Sequence, residues 1–268
     1  MNEIFDYEGY KFDKGSVAKV TDPLTVEAPL QITINDESFT VVMQTPGHEK
    51  ELAVGLLYAE NVIRDFNNVS WDFKRSDSKL IEEILIDTPK ENLADGYLSS
   101  RSLLSVSSCG ICGKKEIEDL MSNEQALKQN FQTSFGAIHR MMKKMRSAQK
   151  LFDVTGGCHG IAAFDKDENL LCLMEDIGRH NALDKVIGHL ILIEQLKEAK
   201  VITFSGRTSY EMVSKAFRAK IPIIASVSAP SSLAVDFAKE FGLTLLSFVR
   251  EDKGTCYSNI YRIADLKQ

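Results

Sequence analysis

KVITFSGRTSYEMVSKAFRAKIPIIASVSAPSSLAVDFAKEFGLTLLSFV, residues 200–249, decides the fold, because it alternates short apolar runs with segments of helical spacing. The runs 200–205, 221–227 and 243–249 read as strands, and 208–219 and 231–241 as helices. Strands alternating with helices need crossover connections and imply a largely parallel sheet. Ligands of such sheets gather at the carboxyl ends of the strands. Just upstream, 160–165 and 170–175 read as paired strands around Lys166-Asp167-Glu168-Asn169, followed by a helix over roughly 180–198.

Toward the N-terminus the rhythm differs. Residues 24–45 alternate apolar and polar positions around Asn35-Asp36, which reads as a β-hairpin. After the Thr45-Pro46-Gly47 turn, His48 to Asn61 carries Leu52, Leu56 and Leu57 at helical spacing, and 68–74 and 80–87 alternate as strands. Lys114 to Asn130 reads as a helix with Ile117, Leu120 and Met121 on one face, and a second helix runs from about Ser134, its cap, to Leu151. The class is α/β in the C-terminal part and α+β overall. The expected division is a small α+β unit over 1–113, a helical connection over 114–152 and an α/β domain over 153–268.

At 268 residues the chain suits one or two domains, and 44% hydrophobic with 26% charged residues is ordinary for a soluble globular protein. No apolar run approaches the ~20 residues that span a bilayer. Met1-Asn2-Glu3-Ile4-Phe5-Asp6 lacks the basic start and apolar core of a signal peptide, so a cytoplasmic protein without membrane contact is expected. A net charge of −6 disfavours nucleic-acid binding, which draws affinity from Lys and Arg against phosphate. Lys143-Lys144-Met145-Arg146 reads accordingly as the solvated face of an amphipathic helix.

Five cysteines in a chain of this size make no disulfide scaffold. Two of them, Cys109 and Cys112, stand together in Ser107-Ser108-Cys109-Gly110-Ile111-Cys112-Gly113, a glycine-flanked loop that would expose reactive thiols. A free thiol of pKa near 8.5 is only about 3% thiolate at pH 7. A following helix start and Lys114 with Lys115 would raise that fraction. Such a thiolate could attack a disulfide, bind a soft metal or accept a sulfane sulfur, and the spacing alone does not choose. A structural zinc site wants four ligands, and there is no second Cys-x-x-Cys; Cys158 and His159 would join only by spatial coincidence. A thioredoxin-like role lacks its usual place at the first strand-to-helix turn of a βαβ unit.

Three further stretches carry candidate chemistry. Thr155-Gly156-Gly157-Cys158-His159-Gly160 combines glycines that permit close approach with His159. In Glu175-Asp176-Ile177-Gly178-Arg179-His180-Asn181-Ala182-Leu183-Asp184-Lys185 a strand ends in two carboxylates and passes through glycine into a helix headed by Arg179, His180 and Asn181. Ser205-Gly206-Arg207-Thr208-Ser209 and Ser226-Val227-Ser228-Ala229-Pro230-Ser231-Ser232 occupy similar junctions. Each could be ordinary capping; together they favour a phosphate-bearing ligand, without an ATP-hydrolysing loop.

The cysteine loop, the Thr155 to His159 run, the block 175–188, Ser205-Gly206-Arg207 and Ser228-Ala229-Pro230 with Leu233-Ala234-Val235 closely resemble the FdhD family of formate dehydrogenase accessory sulfurtransferases, from about residue 20 onward. The resemblance implies that a cysteine desulfurase hands a sulfane sulfur to the loop. The protein would then pass it to the molybdenum or tungsten bis(molybdopterin guanine dinucleotide) cofactor before that cofactor enters formate dehydrogenase. It implies Cys109 as persulfide carrier and Cys112 in support, and a cofactor-contacting segment at Phe248, Val249, Arg250, Glu251, Asp252 and Lys253. His159, Arg179, His180, Asn181, Ser205, Gly206 and Arg207 are further candidates. It also implies a homodimer and a cytidine-deaminase-like C-terminal α/β/α domain. The deaminase His-x-Glu and Pro-Cys-x-x-Cys zinc signature is missing, so no intrinsic metal and no deamination are expected. The competing readings are a cofactor-binding chaperone without sulfur transfer and a Cys-x-x-Cys thiol-disulfide oxidoreductase.

Overall fold

The fold was taken from a computed structural model, which describes residues 3–77, 79–100, 125–128, 130–251 and 253–265. It opens with an antiparallel ribbon, β1 (Ile4–Asp13) and β2 (Ser16–Thr25). The hairpin around Asn35-Asp36 follows as β3 (Ala28–Ile34) and β4 (Glu37–Gln44). Both turn residues have positive φ, 49° and 64°, the conformation that matches a two-residue turn to the strand twist. Helix α1 (Glu49–Ala59), strands β5 (Ser70–Arg75) and β6 (Ile81–Asp87) and the short helix α2 (Asp95–Ser100) follow. The four strands pair in the order β4-β3-β6-β5, with β3 parallel to β6. Leu30, Ile32, Ile34, Ile84 and Ile86 pack against Leu52, Ala53 and Leu57 of α1.

Helix α3 (Phe135–Ala148) is capped by Ser134, whose hydroxyl accepts from the amide of Ala137, and a break at Gln149 separates it from α4 (Lys150–Thr155). The single helix expected from Ser134 to Leu151 is therefore two. Of the helix expected over Lys114 to Asn130, 125–128 and 130 are non-helical, Leu127 instead donating its amide to the carbonyl of Phe241. The rest of that helix, the Cys109–Cys112 loop and the expected boundary at residue 113 lie outside the described residues.

The C-terminal sheet comprises β7 (His159–Phe164), β8 (Leu170–Asp176), β9 (Val201–Phe204), β10 (Ile223–Ser226), β11 (Thr244–Arg250) and β12 (Lys253–Ser258). Helices α5 (Arg179–Leu192), α6 (Tyr210–Arg218) and α7 (Ser232–Glu240) supply the crossovers. The order is β12-β11-β10-β9-β7-β8, and only β9, β10 and β11 run parallel. The sheet is thus mixed rather than largely parallel, because the β7–β8 hairpin and β12 pair antiparallel at its two sides. Alternation along the strands splits the core in two. Ile161, Ala163, Ile202, Phe204 and Ile224 face α5, α6 and α7, while Ala162, Phe164, Val201, Ile223 and Ala225 face Ile138, Met141 and Met145 of α3. No helix among the described residues is long and apolar enough to cross a membrane.

Helices α1 and α5 join the two sheets backbone to backbone. A Cβ on Gly55 would lie 1.9 Å from the carbonyl oxygen of Asp184, and one on Gly188 would lie 1.9 Å from that of Glu51. Beside this contact, the fully buried Lys185 Nζ sits 2.8 Å from Asp176 Oδ2 and donates to the carbonyl of Thr45 at 2.7 Å. The amide of Thr45 donates to Asp176 Oδ2, and Thr45 Oγ1 accepts from the amide of Ile177. Asn181 Nδ2 donates to the carbonyl of Met43 and to Asp176 Oδ1. Two charges removed from water survive here because these surrounding hydrogen bonds satisfy them.

Candidate functional site

The parallel strands β9, β10 and β11 all end at one rim of the sheet, and a cleft of about 700 Å³ opens there. Val227 and Val249 give it an apolar base, following β10 and near the end of β11. Helix α3 contributes His139, Lys143 and Arg146, and the segment after α4 contributes Gly156, Gly157, Cys158 and His159. Ser205, Arg250 and Glu251 complete the rim. The volume lies within the ~300–1,000 Å³ of ordinary ligand clefts.

Local chemistry fixes these walls. Glu175 accepts from the amides of Leu151 and Phe152 at 2.8 and 2.9 Å, capping the start of α4, and its Oε1 also takes the Cys158 thiol at 3.3 Å. Gly156 ends α4 in the left-handed region at φ 65°, which glycine adopts without strain. Ser205 Oγ accepts from the amide of Gly160 at 2.9 Å, tying the β7 entry to the end of β9. Gly206 has no side chain for a steric reason, since a Cβ there would meet His159 Nδ1 at 2.9 Å. On the opposite side β11 is bulged between Ser247 and Arg250, and Phe248 holds φ 57°. Positive φ is uncommon for a bulky residue and re-aims the strand end, leaving Phe248 exposed and Val249 buried in the cleft base.

The cleft region is cationic. His159 is held below the usual histidine range by burial and then by the charge of Arg179, with Asp176 opposing and Arg207 adding to the effect. His180 is pushed down to about 3 by burial, then by Lys215 and Arg179. It is neutral at pH 7, and its 3.2 Å contacts with Ser209 Oγ and Glu211 Oε2 are hydrogen bonds rather than an ion pair. Arg179 Nε is buried with no hydrogen-bond partner among the described residues. Arg250 Nε donates to the carbonyl of Val227 at 3.3 Å, whereas Arg146 is already paired with Asp153 at 2.6 Å. An anionic ligand is the natural complement of such a lining.

The structure brings Val249, Arg250, Glu251, His159 and Ser205 to the cleft and sets Gly206 beside His159, while Arg179 and Arg207 act on His159 through their charge without lining the cleft. Phe248 and Lys253 flank it without lining it, and Asp252, like Cys109 and Cys112, lies outside the described residues. Asn181 is engaged in the buried joint at Thr45, and His180 faces Ser209 and Glu211. The cationic side chains of α3 are the part sequence reasoning overlooked. The 143–146 run lies, as expected, on an amphipathic helix with Lys143, Lys144 and Arg146 exposed, and these residues divide: Lys144, with Arg140, holds Glu168 of the β7–β8 turn, while Lys143 and Arg146 line the cleft. The signal was present in Met141, Met142 and Met145, whose burial at helical spacing dictates which flanks remain.

Each described thiol is a poor nucleophile. Burial pushes Cys158 up to about 12, with Glu175 contributing next; burial pushes Cys172 up to about 12 and raises Cys256. The thiolate is the reactive form, so none of these three is poised for sulfur chemistry at neutral pH.

A family model described as FdhD/NarQ family matches residues 25–264. The sequence is 39% identical over 261 residues to the sulfur carrier protein FdhD of Saccharolobus solfataricus, covering 97% of this chain and 95% of that one. It is 38% identical over 250 residues to the sulfur carrier protein FdhD of Picrophilus torridus, covering 91% and 93%. The crystal structure of a protein described as a formate dehydrogenase accessory protein, from Desulfotalea psychrophila, superposes with a TM-score of 0.75 at 23% identity, covering 97% of this chain and 99% of that one.

Proposed function

The chain belongs to the FdhD/NarQ family, and from that premise we propose that it is a sulfur carrier serving formate dehydrogenase maturation, with Cys109 as the carrying thiol. The observation that supports Cys109 most is the state of the other cysteines: Cys158, Cys172 and Cys256 are all held as protonated thiols, which leaves the work to the loop pair.

The first step takes sulfur from a cysteine desulfurase in the cytoplasm. The Cys109 thiolate attacks the outer sulfur of the desulfurase persulfide; a new S–S bond forms on Cys109, the old one breaks, and the desulfurase thiolate leaves, with no net oxidation. Delivery as sulfide needs two electrons. The Cys112 thiolate supplies them by attacking Cys109 Sγ: sulfide departs with the electron pair and a Cys109–Cys112 disulfide remains, which a dithiol reductant must reopen.

The acceptor is the molybdenum or tungsten bis(molybdopterin guanine dinucleotide), treated as substrate. Its phosphates would be held by Lys143 and Arg250 of the cleft lining, with Arg179 and Arg207 adding positive charge from outside that lining. The segment Phe248 to Lys253, the bulged end of β11 and its turn, would seat the nucleotide end. We also assign the C-terminal unit to the cytidine-deaminase-like type, on its antiparallel β7–β8 hairpin leading into helix-linked parallel strands. Cells whose chain carries Cys109→Ala are expected to make formate dehydrogenase protein without activity, while Cys112→Ala retains a fraction. Full activity in Cys109→Ala would refute sulfur carriage and favour a cofactor chaperone; equal and complete loss in both would favour a thiol-disulfide oxidoreductase.

A further inference from the structure

Helix α3 carries two exposed arginines that meet carboxylates in different ways. Arg140 closes a two-point bridge on Glu168, Nε to Oε2 at 2.8 Å and Nη2 to Oε1 at 2.6 Å, and it does not line the cleft. Arg146 does line the cleft and touches Asp153 at a single point, Nη1 to Oδ1 at 2.6 Å, while Asp153 stays out of the lining. The Nε and Nη2 of Arg146 have no hydrogen-bond partner among the described residues. In one continuous helix, residues seven apart stand ~10.5 Å apart along the axis, so the break at Gln149 is what folds Asp153 back onto Arg146. Phe152 lies beside the pair, its ring 5.0 Å from the Arg146 guanidinium and itself part of the lining.

We propose that Arg146 is a phosphate-binding residue of the cleft, held by Asp153 until a ligand phosphate takes over its guanidinium. This role rests on the reading of the cleft as the nucleotide site and gives that site a ligand whose affinity an internal carboxylate sets. Magnitude favours the exchange. The Arg146 and Asp153 side chains are 54% and 51% exposed, and an ion pair so open to water shifts an equilibrium by at most about 5-fold. A phosphate that accepts two parallel guanidinium hydrogen bonds gains about 10-fold or more. The planar fork of Arg146 can make that pair of bonds, whereas Asp153 uses only one of its nitrogens. Little else has to move. Glu175 already holds the amides of Leu151 and Phe152, so the start of α4 stays in place while the arginine side chain turns. The Phe152 ring keeps the guanidinium at the lining when Asp153 lets go, so losing the carboxylate removes a competitor without freeing the arginine.

Calorimetric titration of the full chain with guanosine diphosphate tests the exchange. Both positions are exposed, so the substituted chains are expected to fold as the unmodified one does. Arg146→Ala should weaken binding by about 5–10-fold, and Asp153→Asn should tighten it by about 3–5-fold. In a chain that already carries Arg146→Ala, Asp153→Asn should change the affinity by less than about 2-fold, because the carboxylate acts through Arg146. Tightening by Asp153→Asn of less than about 2-fold, or weakening, overturns the exchange. So does tightening that persists undiminished in the Arg146→Ala chain, which would make Asp153 a distant repelling charge. An unmodified chain that binds no guanosine diphosphate removes the nucleotide reading of the cleft itself, and the two failures are thereby told apart.

Discussion

Two polar regions, built partly from one motif, treat their charges in opposite ways. At the α1–α5 joint, Asp176, Asn181 and Lys185 are buried and bonded to Met43, Thr45 and one another. A few residues away, Arg179 keeps a buried Nε with no hydrogen-bond partner among the described residues, and its charge, like that of Arg207, helps hold His159 below the usual histidine range. Where the polar atoms are fully bonded the motif holds the molecule together; at Arg179 one buried donor is left without an acceptor among the described residues. Proximity in sequence therefore does not make 175–188 a single ligand site. As β8 turns into α5, Asp176, Asn181 and Lys185 enter the joint, while His180 turns to Ser209 and Glu211.

The largest expected effect lies in the joint. Asp176→Ala leaves Lys185 buried without its counter-charge and should destabilise the fold by about 3–5 kcal/mol, read from denaturant unfolding; a loss under about 1 kcal/mol would erase the contrast. Gly188→Ala forces a methyl against the Glu51 carbonyl and should cost about 2–4 kcal/mol by the same measurement. The cleft should respond in reverse. Lys143→Ala and Arg250→Ala should change stability by no more than about 0.5 kcal/mol. Each should weaken guanine nucleotide binding, measured by calorimetry, by about 5–30-fold. Unchanged affinity in both would show that this cleft does not hold the phosphates.

The smallest effect is a pH dependence at the rim of the joint, where His48 Nδ1 lies 3.3 Å from Glu51 Oε1. The hydrogen bond to Glu51 raises His48 above 6.5, so its contribution is complete below about pH 6.5 and is lost as pH rises through the raised value. The hydrogen bond to His48 lowers Glu51 below 4.5, so its contribution is present above about pH 4.5 and is lost as pH falls through the lowered value. Stability gained from the pair is thus greatest between about pH 4.5 and 6.5. Glu51→Gln should flatten that part of a melting-temperature profile, and a profile unchanged by the substitution would remove the pair from the account.

The alternating elements after residue 200 were legible because apolar runs and helical spacing are local signals, as was the Asn35-Asp36 turn, whose residues tolerate positive φ. The strands β1, β2 and β12 were not. Ile4, Phe5, Tyr7, Tyr10 and Phe12 break strict alternation because neither face of the ribbon is buried within the chain, and Lys-Gly-Thr-Cys-Tyr-Ser of β12 is an edge strand with little apolar content. The mixed sheet was hidden for another reason: strand direction is set by tertiary pairing, which spacing does not encode. Of the site, the junction residues stood out through glycine and arginine at strand ends. The role of α3 did not, since only its packing across the sheet carries Lys143 and Arg146 to the cleft.

Mass spectrometry of the chain after incubation with a cysteine desulfurase and cysteine tests the central claim most directly. One added sulfur atom is expected on Cys109, removable by a thiol reductant, and none on Cys158, Cys172 or Cys256. Sulfur on Cys158, or no addition anywhere while the desulfurase itself carries persulfide, would contradict it.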